Sequence, residues 1–223
     1  MRSAPGEARA ARPPGSRGYG GRVTAYAAVV LTGGAARRMG GRDKPGVPVG
    51  GRPMRERVLA AVADASPRIL VGPAKAVPDD VLVTREEPPG GGPVAAAAAG
   101  LALVPAGTTV VALLAADLPL LTRDAVAILL AALDTDENGP DGVCLLDDRG
   151  RRQSLCGVWR TAALRAALDR LADRRGGTLG GAAVRELLAE LTVRDLAWSG
   201  GGPPPWFDCD TDSDVRRAEE WTR

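Results

Sequence analysis

The chain has 223 residues, 45% of them hydrophobic, so it is long enough to bury one substantial core. Its 29 Lys and Arg residues against 27 Asp and Glu leave a net charge of +2, which predicts neither a nucleic-acid partner nor an anionic membrane surface. The absence of histidine excludes Ser-His-Asp and Cys-His nucleophile systems and His-ligated zinc. The 3 cysteines lack CxxC spacing, so we expect buried free thiols.

The first segment of the chain, residues 1–24, is rich in Ala, Arg, Gly and Pro and has almost nothing apolar to bury. We predict a disordered N-terminal tail followed by one globular domain over residues 25–223. The tail has no apolar signal-peptide core, and the longest apolar stretch, Val94 to Val104, is too short to cross a bilayer. The sequence therefore predicts a cytoplasmic protein.

Strands and helices alternate from Tyr26 onward. Short apolar runs predict buried strands, and apolar residues at helical spacing predict helices between them. In chain order we expect the strand YAAVVL, a helix around MRERVLAAVADA, the strands RILV and VLVT, the helix PVAAAAAGLALV, the strand VVALLA, and a helix that opens at the N-cap Thr122. Apolar strands separated by helices indicate an α/β protein with a parallel sheet covered on both faces.

The C-terminal part of the chain is less regular. Here we expect the strands DGVCLL and QSLCGVW joined by the polar turn DDRGR, helices near residues 162–171 and 182–191, the strand TVRDLAW and a closing helix. This part predicts an antiparallel segment within a mixed sheet. Because open α/β sheets bind ligands at the carboxyl ends of their strands, the loop after the first strand and the turn AADLP should face one cleft.

The loop after the first strand, within VVLTGGAARRMGGRDKPG, combines paired glycines with cationic side chains. The glycines let the backbone N–H groups point inward as an anion-binding concavity. The cations around it are Arg37, Arg38, Arg42 and Lys44. The combination predicts a polyphosphate cradle, whereas a solvated surface loop is the alternative for this segment taken alone. The spacing fits neither the Walker A pattern GxxxxGK[ST] nor the dinucleotide pattern GxGxxG.

Five segments of the chain, in order, resemble those of the nucleotidyltransferases typified by the molybdenum cofactor guanylyltransferase, the MobA-like proteins. VVLTGGAARRMGGRDKPGVPVGGRPM resembles LxGGxSxRMGxDK…GxPL, GGGPVAAAAAG resembles GPLAG, VVALLAADLPLL resembles the strand that ends in a metal-binding aspartate, RQSLCGVW resembles QPLxGxY, and FDCDTDSDV resembles a DxDTPED ending. The resemblance implies a Rossmann-like nucleotidyltransferase α/β/α sandwich with a mostly parallel mixed sheet.

The same resemblance implies a reaction. It is the Mg²⁺-dependent transfer of GMP from GTP to molybdopterin, with release of pyrophosphate. Other proteins of molybdenum cofactor biosynthesis are then candidate partners. No histidine base is required, since the attacking phosphate arrives deprotonated, and the protein's task is charge neutralisation and positioning.

The resemblance also assigns the nucleotide and metal site. It implies that Arg38 and Lys44 grip the triphosphate, that Asp117 binds Mg²⁺ as the third catalytic residue, and that Asp210 completes the metal shell or faces the acceptor. For Asp117 the alternative is a turn or helix cap before Pro119. The other nucleotide-binding residues implied are Leu31, Thr32, Gly33, Gly34 and Gly40, and Asp43 is expected to order the loop.

Base and acceptor recognition depend on weaker matches. Glu86 and Glu87 lie where the resemblance implies a carboxylate that accepts from N1–H and N2–H of guanine. Alternatively, they are two exposed charges before a turn. The acceptor-binding residues implied are Gln153, Gly157, Asp208 and Asp210.

Three other functions stay open, and two departures from the family pattern, Pro45 and Asp208, favour the last of them. One is a cytidylyltransferase of the same cofactor pathway, and another is a transferase for a sugar or alcohol phosphate. A third is a nucleotide-binding partner that has lost turnover.

Overall fold

The computed structural model of the chain describes residues 25–33, 43–73, 77–133 and 139–223. The predicted disordered tail, residues 1–24, lies outside the described residues, as do the predicted site residues Gly34, Arg38 and Gly40.

A seven-stranded mixed sheet, in the order β5-β4-β1-β6-β8-β7-β9, forms the centre of the fold. Its strands are β1 (Tyr26–Leu31), β4 (Arg68–Val71), β5 (Val81–Thr84), β6 (Val110–Ala115), β7 (Gly142–Leu146), β8 (Arg152–Arg160) and β9 (Val193–Ala197). Strands β5, β4, β1 and β6 are parallel, β8 runs antiparallel to both β6 and β7, and β9 is parallel to β7. The expected antiparallel segment is therefore the single reversed strand β8.

Helices cover both faces of this sheet. They are α1 (Met54–Ala61), α2 (Pro93–Leu101), α3 (Arg123–Ala132), α4 (Thr161–Arg174) and α5 (Val184–Leu188). A sixth helix, α6 (Asp212–Trp221), packs instead in a third, smaller cluster with Met54 and Leu120. Alternate residues of β1 serve the two faces: Ala28 and Val30 pack in one core with residues of α1 and α3, and Val29 and Leu31 pack in the other with residues of α2, α4 and α5. The central strands β1, β4 and β6 are thus buried on both sides, whereas the edge strands β5 and β9 have exposed residues. The predicted α/β/α sandwich is confirmed.

Helix boundaries are where the sequence prediction and the structure differ most. Helix α1 ends at Ala61 rather than near residue 65, because the N–H of Ala63 turns back to the carbonyl of Ala60 at 3.3 Å and the chain tightens before β4. Helix α5 spans only Val184–Leu188, since Ala183 is extended. Helix α3 begins as predicted, with the Thr122 hydroxyl accepting from the N–H of Ala125.

A small hairpin absent from the sequence prediction lies between the first loop and α1. Its strands are β2 (Pro48–Val49) and β3 (Arg52–Pro53), each of two residues. Gly50 and Gly51 form its turn with φ of 57° and 75°, a conformation that a tight hairpin needs and that glycine adopts without a steric penalty.

Two expectations from the sequence concern the state of the cysteines and the length of the apolar segments. Cys144, Cys156 and Cys209 are free and buried, and burial raises the pKa of each thiol. Within the described residues, no helix has the length and apolar character needed to span a membrane.

Candidate active site

The carboxyl ends of three neighbouring strands meet at one edge of the sheet. The N–H of Thr32, just after β1, donates to the carbonyl of Val71 at 2.9 Å, and the N–H of Ala116, just after β6, donates to the carbonyl of Leu31 at 2.9 Å. The Thr32 hydroxyl adds a second bond to Val71 at 2.8 Å. These bonds fix the start of the glycine loop beside the turn that carries Asp117.

Lys44 lies between two carboxylates that are far apart in sequence. Its Nζ donates to Asp117 Oδ2 and, at 2.7 Å, to Asp210 Oδ1. The Lys44 side chain is 15% exposed, compared with 21% for Asp117 and 45% for Asp210. Three residues predicted to act together are therefore brought into direct contact by the fold.

The C-terminal segment holds Asp210 in place from both sides. Before it, the N–H of Cys209 donates to the carbonyl of Asp117 at 3.2 Å. After it, Thr211 caps α6: its hydroxyl accepts from the N–H of Asp214 at 3.2 Å, and Asp214 Oδ2 accepts from the N–H of Thr211 at 2.8 Å. This reciprocal capping box fixes the point at which the chain leaves the cleft.

Electrostatics at the site follow from these contacts. Burial acts to lower the pKa of Lys44, but its contacts with Asp117 and Asp210 outweigh burial, and the net pKa is raised. Lys44 is therefore cationic at neutral pH. Desolvation, together with the negative charges of Asp210 and Asp117, raises the pKa of the Asp208 carboxyl.

The turn that carries Lys44 is fixed by an ion pair. Asp43 Oδ2 accepts from Arg55 Nη1 at 2.8 Å, and the N–H of Gly46 donates to the carbonyl of Asp43 at 3.0 Å. Lys44–Gly46 form a 3₁₀ turn with Pro45 buried. The ion pair with Arg55 of α1 supports the loop-ordering role expected of Asp43.

The remaining predicted residues do not converge on Lys44 in the same way. Glu86 Oε1 accepts from the N–H of Gly90 at 3.0 Å, which folds the acidic loop back on itself, and Glu87 is exposed. Gln153 Nε2 donates to Asp147 Oδ2 at 3.2 Å in the turn between β7 and β8. Gly157 is buried in the sheet, where an added Cβ would lie 2.7 Å from the carbonyl oxygen of Val143.

Comparison with known proteins places this arrangement in a family. The model of the MobA-like NTP transferase domain matches residues 28–194. A molybdenum cofactor guanylyltransferase from Bradyrhizobium sp. (strain ORS 278) is 31% identical over an alignment that covers 88% of this chain and 93% of that protein. The chain belongs to the MobA-like NTP transferase family.

Solved structures share the fold of this MobA-like protein at lower identity. Molybdopterin-guanine dinucleotide biosynthesis protein A from Archaeoglobus fulgidus gives a TM-score of 0.62 at 20% identity, over 87% of this chain and 97% of that one. The 2-C-methyl-D-erythritol 4-phosphate cytidylyltransferase from Thermus thermophilus also gives 0.62 at 20% identity, over 86% and 97%. Because enzymes named for different bases share the fold, the fold alone does not select the nucleotide.

The carboxylates of this MobA-like site fit a divalent cation that takes most of its ligands from substrate. In the described part of the chain, no group of three or more Asp, Glu, Cys or His side chains is arranged around a metal position. Asp117 and Asp210 nevertheless converge on one cation, the Lys44 ammonium. Mg²⁺ at phosphate sites typically takes one or two carboxylates together with phosphate oxygens and water, so this pair suits it.

Sequence reasoning missed the residues that support the MobA-like site. Asp43 pairs with Arg55, and the pair fits because Gly46 has no Cβ. Arg55 lies in α1 and Gly46 lies in the turn, outside any motif that marks them as supporting residues. The one available signal is the sequence DKPG itself, in which a small residue three positions after an acid leaves room for that acid's partner.

Proposed function

We propose that this chain is a Mg²⁺-dependent guanylyltransferase that transfers GMP from GTP to the terminal phosphate of molybdopterin and releases pyrophosphate. The observation that carries the proposal is the convergence of Lys44, Asp117 and Asp210 at the carboxyl edge of the sheet. The choice of GTP and molybdopterin is supported by a relative named molybdenum cofactor guanylyltransferase, which aligns over most of both chains.

The chemistry proposed requires little from the protein beyond charge and position. An oxygen of the acceptor phosphate attacks the α-phosphorus of GTP, the bond from that phosphorus to the β-phosphate oxygen breaks, and pyrophosphate leaves with the electron pair. Lys44 neutralises the triphosphate, together with Arg38, which lies outside the described residues. Asp117 and Asp210 would hold Mg²⁺, whose contribution is to neutralise charge on the phosphates.

Recognition of guanine is assigned to the acidic loop. A carboxylate can accept the paired N1–H and N2–H donors of guanine, which adenine does not present. In the loop, Glu86 Oε1 is held by the N–H of Gly90, which fixes the orientation of the carboxylate, and Glu87 is exposed beside it. We assign base reading to one of these two residues, and the acceptor side of the cleft to Gln153 and Asp208. Gly157 is left out of this assignment because it is buried within the sheet.

A second candidate is a cytidylyltransferase, since a protein of that name from Thermus thermophilus shares the fold. Such an enzyme would share the Lys44, Asp117 and Asp210 arrangement and differ in the base reader and the acceptor pocket.

The test is pyrophosphate release measured with Mg²⁺, molybdopterin, and GTP, CTP or ATP in turn. We expect GTP to be used, and Asp117→Asn to lower the rate by about 10²–10³-fold, by analogy with the loss of one group that stabilises transition-state charge. Asp169→Asn, on the exposed face of α4, is the matched control and should retain the wild-type rate. Release with CTP but not GTP would establish the cytidylyltransferase instead, and tight GTP binding without release would establish a non-catalytic binder.

A further inference from the structure

Lys44 occupies the position at which the two candidate metal ligands converge. Its ammonium contacts Asp117 Oδ2 and lies 2.7 Å from Asp210 Oδ1, and the side chain is largely buried. A divalent cation held by the same two oxygens would stand next to this ammonium. Two cations at such short range repel each other strongly, so the ammonium and the metal exclude one another.

Lys44 can leave this position without a change in the loop backbone. The backbone on either side of it is fixed by the Asp43 to Arg55 ion pair and by the 3₁₀ turn that contains the buried Pro45. The ammonium, however, stands at the end of a flexible four-carbon stem. A change of rotamer therefore moves the charge while the turn stays in place.

Withdrawal of the ammonium requires another anion to receive it. Breaking both carboxylate contacts without a replacement would leave a partly buried charge unpaired, which is costly. The proposed substrate supplies that replacement, since a triphosphate is the most anionic group that the site binds.

We propose that Lys44 is an internal counter-cation that closes the metal site until a nucleoside triphosphate draws its ammonium away, so that Mg²⁺ and nucleotide bind as one unit. This inference rests on the proposed function. By linkage, the nucleotide then strengthens metal binding by the same factor as the metal strengthens nucleotide binding. Metal binding without nucleotide is correspondingly weak.

The experiment measures Mn²⁺ binding to the nucleotide-free full chain, by the loss of the free-ion electron paramagnetic resonance signal. Lys44→Met keeps the apolar stem and removes the ammonium. We expect it to bind Mn²⁺ at least about tenfold more tightly than wild type, equivalent to about 1.4 kcal/mol. Lys44→Gln provides the same comparison with a neutral polar side chain, and circular dichroism confirms that each variant is folded.

Two controls separate the proposal from a general effect of charge. Arg123→Met removes one positive charge from an exposed residue that pairs with Asp64, and it should leave Mn²⁺ binding unchanged. Asp210→Asn in the Lys44→Met background should abolish the gain, because one of the two carboxylates is then lost.

The proposal is overturned if both Lys44 variants bind Mn²⁺ no more tightly than wild type, or if Arg123→Met shows an equal gain. That result would leave the proposed function standing as long as wild type still releases pyrophosphate from GTP. A gain in the Lys44 variants without any release by wild type would instead contradict the proposed function.

Discussion

Gly46 is the residue whose replacement tests most directly how the site is held. A Cβ added there would lie 2.5 Å from Asp43 Oδ2 and 2.9 Å from Arg55 Nη1, inside any normal contact distance. Gly46→Ala must therefore push the ion pair apart. Because both clashing atoms end flexible side chains and the Asp43 side chain is 51% exposed, they can give way, and we expect a loss of about 1 kcal/mol in the free energy of unfolding.

The assay is urea denaturation followed by circular dichroism, with thermal unfolding as a second measurement. For a chain of this size each kcal/mol corresponds to about 2–4 °C in Tm. Gly107→Ala is the matched control, since its Cβ would meet nothing within 4 Å, and we expect a change within about 0.5 kcal/mol. Because Lys44 lies in the same turn, Gly46→Ala should also slow pyrophosphate release, by up to about 100-fold if the ammonium moves by about 1 Å.

A double-mutant cycle identifies the cause of the Gly46→Ala effect. With Asp43→Ala as the background, the carboxylate that makes the shortest contact with the new methyl group is gone. Gly46→Ala should then cost much less, with a coupling energy of about 0.5 kcal/mol or more. The Asp43 clash is ruled out as the cause if Gly46→Ala is as stable as Gly107→Ala, or if its cost is the same with and without Asp43.

Three further predictions concern the scaffold. Gly142→Ala places a Cβ 2.1 Å from Trp159 Cε3 and should destabilise the fold by about 3 kcal/mol or more in urea denaturation, so a near-neutral result contradicts the packing described. Tyr26→Phe removes the hydrogen bond to Asp64 at 2.8 Å and should cost about 1 kcal/mol at neutral pH. Burial acts to raise the pKa of Asp64, but the hydrogen bond from Tyr26 and other favourable contacts outweigh burial, and the net pKa is lowered. The cost of Tyr26→Phe should therefore shrink as the pH falls through that lowered pKa. An equal cost in denaturation at neutral pH and at a pH below that pKa would contradict this. Thr122→Ala removes the cap of α3 and should lower stability by about 1 kcal/mol, whereas Thr122→Ser should retain most of it.

Much of this protein follows from local sequence pattern. Apolar runs of four to six residues predicted β1, β4, β5 and β6. Strands β1, β4 and β6 are covered on both faces and have no polar side, whereas β5 is an edge strand with Leu82 and Val83 exposed. Thr122 marked the start of α3 because a hydroxyl before an apolar helix satisfies its first N–H groups. The five motif segments, in their order along the chain, also predicted the family, because motifs such as the glycine loop and the aspartate after β6 each lie within a few neighbouring residues.

Long-range placement is what the tertiary structure decided. Asp210 is 166 positions from Lys44, and no spacing rule relates two residues so far apart. Their contact exists because β1 and β6 are neighbours in the sheet and the segment after β9 returns to the Asp117 turn through the Cys209 N–H. Arg55 likewise gained its role only when α1 packed beside the loop. Local pattern predicts which residues form a strand, a turn or a cap, whereas the order of the strands in the sheet decides which charged residues share one site.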